Sequence, residues 1–184
     1  MSSNIDNILS GSLSTIFVLH NVGNSPSEKR HIKANYTIRE KIINSKGLLT
    51  FDGVYSSVYD NRDILKGRDV VLFLMNEYIG EDNSFDKGMP PERFCTWEEI
   101  HELVFDYGCE LGYHTNTHKD LTKLFNDDIK YEIEPPFPTK YLAFPHGKFD
   151  NRVIELVKEA GYEYAFGAGH RFGKGNFRIK RDYL

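Results

Sequence analysis

Two histidines four residues apart, His114 and His118, are the clearest candidates for chemistry in this sequence. They follow a short apolar run, and neutral imidazole nitrogens at this spacing can share one divalent metal ion. A helical backbone here would make the two rings converge, because residues i and i+4 project from one face of a helix. The alternative is an ordinary helix start with Asn116 or Thr117 as its N-cap, which leaves two half-exposed histidines without a ligand.

Composition and charge limit the classes of protein to which this chain can belong. Its 184 residues, 40% hydrophobic and 14% aromatic, fit a single globular domain over residues 1–184. The net charge is −4 with both signs interspersed, so the sequence favours neither nucleic acid nor a membrane surface as a partner. No apolar segment is long enough to cross a bilayer, and nothing indicates an oligomeric state.

The N-terminal residues and the two cysteines give indications of the cellular location of the protein. Residues 1–17 lack a cationic start followed by an apolar core and a small-residue cleavage site, so we expect no secretion signal and a cytoplasmic protein. Cys95 and Cys109 form no CxxC pattern and lie on either side of a predicted helix. This placement favours free, buried thiols over a disulfide bridge or zinc ligands.

Short runs rich in β-branched and aromatic residues recur along the chain and predict strands. Their nearly continuous hydrophobicity is typical of strands buried on both faces. The predicted strands are 13–20, 48–52, 69–75, 109–113, 140–145, 163–167 and 177–181. Less regular segments at 21–33, 76–93 and 125–139 predict surface loops, of which 76–93 is long enough to be a binding loop.

Amphipathic patterns between the strands predict helices at 56–66, 97–107 and 151–160. The second begins with a capping box made by Thr96 and Glu99. Strands that alternate with helices predict parallel βα units, and hence an α/β layer fold or barrel. Catalytic groups in such folds collect at the C-terminal ends of the strands.

Four candidate side chains come at or just after the last residue of a predicted strand: His20, Asp52, His114 and His146. Each has an ordinary explanation when taken alone, because a carboxylate can cap a helix and a histidine can be a hydrogen-bonded core residue. Their shared position at strand ends indicates one site.

The order of several motifs resembles the polysaccharide deacetylase family, the NodB-type carbohydrate esterases that remove N-acetyl groups from amino sugars. LLTFDGVYSSVYD looks like that family's first motif, usually Thr-Phe-Asp-Asp-Gly-Tyr, and CTWEEIHELVFDYGCELGYHTNTHKDLTKL matches its helix, strand and His-x3-His motif. YLAFPHGKFDNRVIELVKEAGYEYAF resembles its aromatic-Pro-Tyr-Gly motif and the helix after it. VLHNV is similar to the Tyr-His-x-Val opening of a circularly permuted subgroup. By this count of segments the resemblance covers about nine-tenths of the chain.

The resemblance implies a fold, a reaction and roles for several residues. It implies a distorted seven-stranded (β/α) barrel that hydrolyses the N-acetyl group of a carbohydrate substrate. A divalent metal on His114 and His118, zinc with cobalt, nickel or iron as alternatives, would polarise the acetyl carbonyl. Asp52 aligns with the family's general base. His20 aligns with the histidine that protonates the departing amine in the permuted subgroup, and an ordinary pKa near neutrality suits that task.

The same resemblance implies substrate contacts. Pro145, His146 and Gly147 occupy the family's Pro-Tyr-Gly turn, where backbone N–H groups help to hold the acetyl oxygen. Tyr55 belongs to the first motif and is a candidate substrate contact, although packing also explains an aromatic residue there.

The sequence departs from the family pattern at Gly53, where the family has a second aspartate that completes the metal site. Three outcomes follow: Asp52 ligates the metal, His146 substitutes as the third ligand, or the site holds metal weakly or not at all. The last outcome leads to a carbohydrate-binding or regulatory barrel without activity, and a metal-free amide hydrolase is a further hypothesis. Ala143 stands where some subgroups have an arginine that pairs with the base.

Overall fold

Seven parallel strands form the main sheet of the protein, whose computed structural model describes residues 4–11, 15–23, 36–85, 91–168 and 175–184. The strands in chain order are β1 (Ile16–Leu19), β2 (Asn21–Gly23), β3 (Tyr36–Ile38), β4 (Leu48–Asp52), β5 (Val70–Leu74), β6 (Glu110–Tyr113), β7 (Tyr141–Ala143), β8 (Tyr164–Phe166) and β9 (Asp182–Tyr183). The spatial order in the main sheet is β8-β7-β6-β5-β4-β1-β9, while β2 and β3 pair separately.

The described part of the chain also contains six α-helices and several 3₁₀ turns. The helices are α1 (Asn4–Ser10), α2 (Arg39–Asn44), α3 (Ser56–Asp60), α4 (Trp97–Phe105), α5 (Asn126–Glu132) and α6 (Asn151–Glu159). Short 3₁₀ turns lie at Arg62–Leu65, Asn76–Tyr78, Leu121–Lys123 and Pro145–Gly147. Within the described ranges, none of the helices combines the length and the hydrophobicity needed to span a membrane.

The C-terminal segment brings the two edges of the main sheet together. β9 pairs with β1, and Ile179, a few residues earlier, bridges to Phe166 in β8. The Ile179 N–H donates to the Ala165 carbonyl at 3.0 Å, and the Gly167 N–H donates to the Ile179 carbonyl at 2.9 Å. The sheet therefore curls into the seven-stranded (β/α) barrel that the resemblance implies.

Side-chain alternation along the strands separates the barrel interior from the layer under the helices. Leu49 and Phe51 of β4 pack with the cluster beneath α3 and α4, whereas Leu48 packs with Val71 and Phe73 of β5 in a second cluster. Because the side-chain period of a strand is two residues, Thr50 and Asp52 share the inner face with Leu48. The fold thus points Asp52 into the barrel.

The structure confirms most of the predicted elements and corrects four of them. The helix predicted at 56–66 divides at Asn61 into α3 and a 3₁₀ turn. The loop predicted at 125–139 contains α5, which buries only Ile129 and Glu132 and so gives a weak apolar pattern. The last strand lies at Asp182–Tyr183 instead of 177–181, because the chain crosses between two edges of the sheet there. The loop predicted at 21–33 begins instead with β2 (Asn21–Gly23), and its residues 24–33 lie outside the described residues.

Gly112 in β6 allows the Phe73 ring to pack closely against the β6 backbone inside the barrel. It lies opposite Phe73, and a Cβ atom at Gly112 would come within 2.5 Å of the Phe73 ring. We therefore expect Gly112→Ala to lower the free energy of unfolding by about 1–3 kcal/mol, as measured by urea denaturation. The double variant Gly112→Ala/Phe73→Leu should recover part of this loss, because Leu removes the ring atoms that clash. If the decreases in the free energy of unfolding of the two single variants simply add in the double variant, the predicted contact is contradicted.

Candidate functional site

Three of the predicted site residues meet at one end of the barrel, at the carboxyl ends of neighbouring strands. Asp52 is the last residue of β4, His114 directly follows β6, and His20 directly follows β1. The His114 Nε2 atom lies 3.8 Å from Asp52 Oδ2. Leu19 pairs with Phe51 in the parallel β1–β4 ladder, so His20 and Asp52, the next residue after each partner, lie beside each other at this end of the barrel.

Arg181 fixes the Asp52 carboxylate with two parallel hydrogen bonds. Its Nη1 and Nη2 atoms donate to Asp52 Oδ1 at 2.6 Å and Oδ2 at 2.7 Å. Arg181 also donates to Thr50 Oγ1 and to the Gly167 carbonyl, both at 3.0 Å, and is 1% exposed. A planar guanidinium matches a carboxylate in this two-pronged geometry, so the orientation of Asp52 is set before any ligand arrives.

Burial and charge act in opposite directions on the pKa of Asp52. Burial raises the pKa of the carboxyl group, but the charges of Arg181 and His114 and the hydrogen bonds from Arg181 lower it, and the net pKa lies well below the ordinary value. Asp52 is therefore ionised at every pH at which the protein would work.

A backbone hydrogen bond selects the tautomer of His114. Its Nδ1 atom lies 2.8 Å from the Ala143 carbonyl oxygen, an acceptor that requires a proton on Nδ1. The Nε2 lone pair then points toward Asp52 and is available to a metal ion. Burial lowers the pKa of His114 against the opposing effect of Asp52, which keeps the ring neutral.

The His-x3-His segment is a loop, which corrects the helical geometry considered from the sequence. Thr115 and His118 both have left-handed backbone conformations, with φ values of 72° and 58°. The His118 N–H donates to Thr115 Oγ1 at 3.0 Å, and the His114 and His118 ring centroids are 4.8 Å apart. Such backbone conformations persist only where the surroundings impose them, and they concentrate at functional sites.

Helix α5 supplies the contacts that impose this loop. Buried Glu132 accepts hydrogen bonds from the Thr117 N–H at 2.8 Å and from the Thr117 hydroxyl. Asn116 donates to the Tyr131 carbonyl at 2.5 Å, and its own side-chain oxygen accepts from Tyr113. A segment that the sequence predicted as a plain loop therefore holds His118 in place.

His146 stands beside His118 on the turn after β7. The two ring centroids are 4.6 Å apart, and an ion pair of 2.8 Å between Lys148 and Asp120 ties this turn to the chain after His118. His146 has a φ of 57° and an exposed side chain. The Gly147 N–H donates to the Phe144 carbonyl at 2.9 Å, so it is used within the turn and not offered to an acetyl oxygen as expected from the resemblance.

The surroundings of His20 lower the pKa of its ring. Burial lowers its pKa to about 4, despite the opposing charge of Asp52, and the charges of His114 and Arg181 lower it further. His20 is thus neutral near pH 7, and the expectation of an ordinary pKa is wrong because desolvation disfavours imidazolium. It can donate a proton only after receiving one.

The donor chemistry of the histidine pair fits a divalent metal, while a complete ligand set is not formed. His118, like His114, is neutral, because burial and the neighbouring histidines lower its pKa. Two neutral imidazoles beside a carboxylate suit zinc and similar ions. Among the described residues, however, no group of three His, Cys, Asp or Glu side chains is arranged to hold an ion.

Gly53 and Tyr55 take part in packing next to the site. Gly53 has a φ of 63°, and a Cβ atom there would lie 2.8 Å from the Met75 methyl carbon and 3.2 Å from the Phe94 ring. Tyr55 is 7% exposed and stacks on Phe94 with centroids 4.2 Å apart. The position of Tyr55 favours the packing explanation over direct contact with a substrate.

Sequence reasoning missed Arg181 and Glu132 as residues of the site. Arg181 lies between Lys180 and Asp182, so its local sequence is typical of an exposed charged segment and gave no signal of a buried arginine. Glu132 lies in an ordinary acidic segment and likewise carries no signal.

The Arg181 ion pair predicts a large loss of stability when one partner is removed. We expect Arg181→Met to lower the free energy of unfolding by about 3–5 kcal/mol, because it leaves the buried Asp52 carboxylate unpaired. Arg178→Met is the matched control at a half-buried position bonded to Asn151, with an expected change within about 0.5 kcal/mol. The double variant Arg181→Met/Asp52→Asn should regain part of the loss. Equal stability of Arg181→Met and the wild type in urea denaturation would show that the pair is not needed.

The sequence matches known deacetylases over more than half of its length. A family model described as polysaccharide deacetylase matches residues 44–165. Chitin deacetylase 1 of Saccharomyces cerevisiae is 35% identical over an alignment of 75 residues, and the match covers 35% of this chain and 25% of that protein. The chain spans less than half the length of the curated relatives it matches.

Several solved structures have a similar fold. Streptococcus pyogenes deacetylase PplD, in complex with acetate, superposes with a TM-score of 0.68 at 15% identity, over 93% of this chain and 92% of that one. IcaB from Ammonifex degensii gives a TM-score of 0.68 at 18% identity, over 94% and 92%. At these identities the likeness concerns the fold, whereas the family model includes both Asp52 and the His-x3-His motif. The chain belongs to the polysaccharide deacetylase family.

Proposed function

We propose that the protein is a metal-assisted deacetylase that removes the N-acetyl group of an amino sugar in a glycan or a glycan precursor. The observation that carries this proposal is the meeting of Asp52, His20 and the His114–His118 pair at one barrel end. Amide hydrolysis needs a base for the attacking water, a polarised carbonyl and a proton for the leaving amine, and these residues match those needs. Family membership and a relative named chitin deacetylase support an amino sugar as the substrate.

His114 and His118 are the residues that would hold the metal, which we propose to be zinc. A bound divalent ion supplies Lewis-acid polarisation of the acetyl carbonyl and lowers the pKa of a bound water. The Ala143 carbonyl holds His114 in the tautomer that this task requires, and Glu132 holds the loop that carries His118. Cytoplasmic residence stays a prediction from the N-terminal sequence.

Asp52 and His20 divide the proton transfers between them. Asp52, oriented by Arg181, faces the histidine pair and takes the proton of the attacking water. We assign to His20 the proton that the departing amine needs. Because burial lowers the pKa of His20, its ring is neutral at rest and must first receive the proton released by the attacking water.

His146 is the side chain best placed to replace the aspartate missing at Gly53. Its ring centroid is 4.6 Å from that of His118, a separation close to the 4.8 Å between His118 and His114. The side chain is exposed, so its ring can turn toward the pair on binding, as surface rotamers do within nanoseconds. Asp52 is the weaker candidate, because both its oxygens are engaged by Arg181. A binding-only barrel is not favoured, since base, arginine and histidine pair are all retained.

The assignment of base and proton donor predicts large losses of activity. We expect Asp52→Asn and His20→Ala each to lower kcat/KM for acetate release from N-acetylglucosamine oligomers by about 10²–10⁴-fold. His101→Ala, at an exposed position on α4, should leave kcat/KM unchanged. Absence of acetate release from folded wild-type protein with Zn²⁺, Co²⁺ and Ni²⁺ would contradict the proposed activity.

Metal affinity tests the replacement of the missing aspartate. We expect His146→Tyr to weaken Zn²⁺ binding at least about 10-fold, measured by calorimetry and by elemental analysis. Gly53→Asp should not restore affinity in His146→Tyr, because its Cβ points at Met75 and Phe94 in a left-handed conformation. His101→Ala is again the control. Unchanged Zn²⁺ affinity in His146→Tyr would exclude His146 as a ligand.

A further inference from the structure

An aromatic wall runs from the barrel to the rim of the site, and it consists of Tyr55, Phe94, Tyr78 and Phe85. Tyr55 stacks on Phe94 at 4.2 Å between centroids, and Tyr78 contacts Phe85 at 4.2 Å. The Phe85 and Phe94 rings are nearly parallel, with centroids 6.2 Å apart and an interplanar angle of 15°. The rings therefore form one continuous group and not scattered contacts.

The two ends of the aromatic wall differ in exposure. Tyr55 and Phe94 at the inner end are 7% and 3% exposed, so packing accounts for them. Phe85 at the outer end is 37% exposed, and its centroid lies 6.3 Å from the His118 ring. An apolar ring is thus presented to solvent directly beside a proposed metal ligand.

Backbone pairing holds Phe85 in position. Asp82 and Arg93 form an antiparallel bridge, and buried Asn83 exchanges two hydrogen bonds of 3.0 Å with the Glu92 backbone. Arg93 is tied in turn to Glu99 at the start of α4 by paired contacts of 2.8 Å. A ring supported in this way loses little freedom when a ligand covers it, which favours binding.

We propose that Phe85 is a stacking platform for a pyranose ring of the substrate, and this inference rests on the proposed deacetylase function. A pyranose carries C–H groups on its faces and hydroxyls around its edge, and such C–H groups are attracted to the negative face of an aromatic ring. A sugar on Phe85 lies next to His118, so its acetamido group reaches the site while its hydroxyls stay in water. The platform recognises the ring and not a particular substituent, which suits a repeating glycan.

The platform is tested by binding and by steady-state kinetics with an N-acetylglucosamine tetramer. Calorimetry with chelator-treated protein measures binding without turnover, and acetate release with added Zn²⁺ gives KM and kcat separately. Phe85→Ala should weaken binding and raise KM by about 5–10-fold with kcat little changed, because an aromatic contact is lost while the reacting groups remain. Phe85→Trp should keep wild-type affinity, which a merely structural role of this position would not require.

Phe105→Ala is the matched control, since Phe105 is 79% exposed on α4 and contacts His101 instead of a site residue. Weakened tetramer binding in Phe85→Ala, with unchanged binding in Phe105→Ala, supports the platform even if no acetate is released. In that case only the proposed deacetylation fails. Acetate release with the same KM in wild type and Phe85→Ala would overturn the platform and leave the proposed function standing. Failure of the wild type to bind the tetramer would overturn the platform whatever the variants do.

Discussion

The two-pronged ion pair between Arg181 and Asp52 is the interaction on which the site depends. It places a positive charge beside a buried carboxylate that would otherwise be driven toward its neutral form. It also joins the first half of the barrel to the last strand, because the two partners are separated by 129 residues in sequence. The same contact therefore ties the C-terminal segment to the site and orients the base.

The loops of the site are held in conformations that they would not adopt alone. Thr115, His118 and His146 are the non-glycine residues with positive φ in the described part of the chain, and all three belong to the site loops. Glu132 and Tyr131 of α5 hold the first loop, and the Lys148–Asp120 ion pair links it to the second. The strain at these positions is offset by contacts elsewhere, as expected for a site organised before binding.

Two departures from the family pattern change the surroundings of the site. At Gly53 the missing carboxylate leaves room that Met75 and Phe94 fill, and these two residues belong to the packing that supports Tyr78 and Phe85. At His146 a tyrosine is replaced by an imidazole that stands next to His118. The surroundings of Gly53 are thus apolar, while His146 places a nitrogen donor beside His118.

The sequence by itself determined the alternation of strands and helices, the strand-end positions of His20, Asp52 and His114, and the family. These follow from local hydrophobic pattern and spacing, which depend only on near neighbours in the chain. It did not determine α5, because that helix buries a single apolar residue, nor the loop geometry of His-x3-His, because contacts from α5 override local preference. Only the tertiary structure decided that Arg181 takes the place of the arginine missing at Ala143 and that burial lowers the pKa of His20. Both depend on which distant residues share the same buried space, and that is settled when the barrel closes.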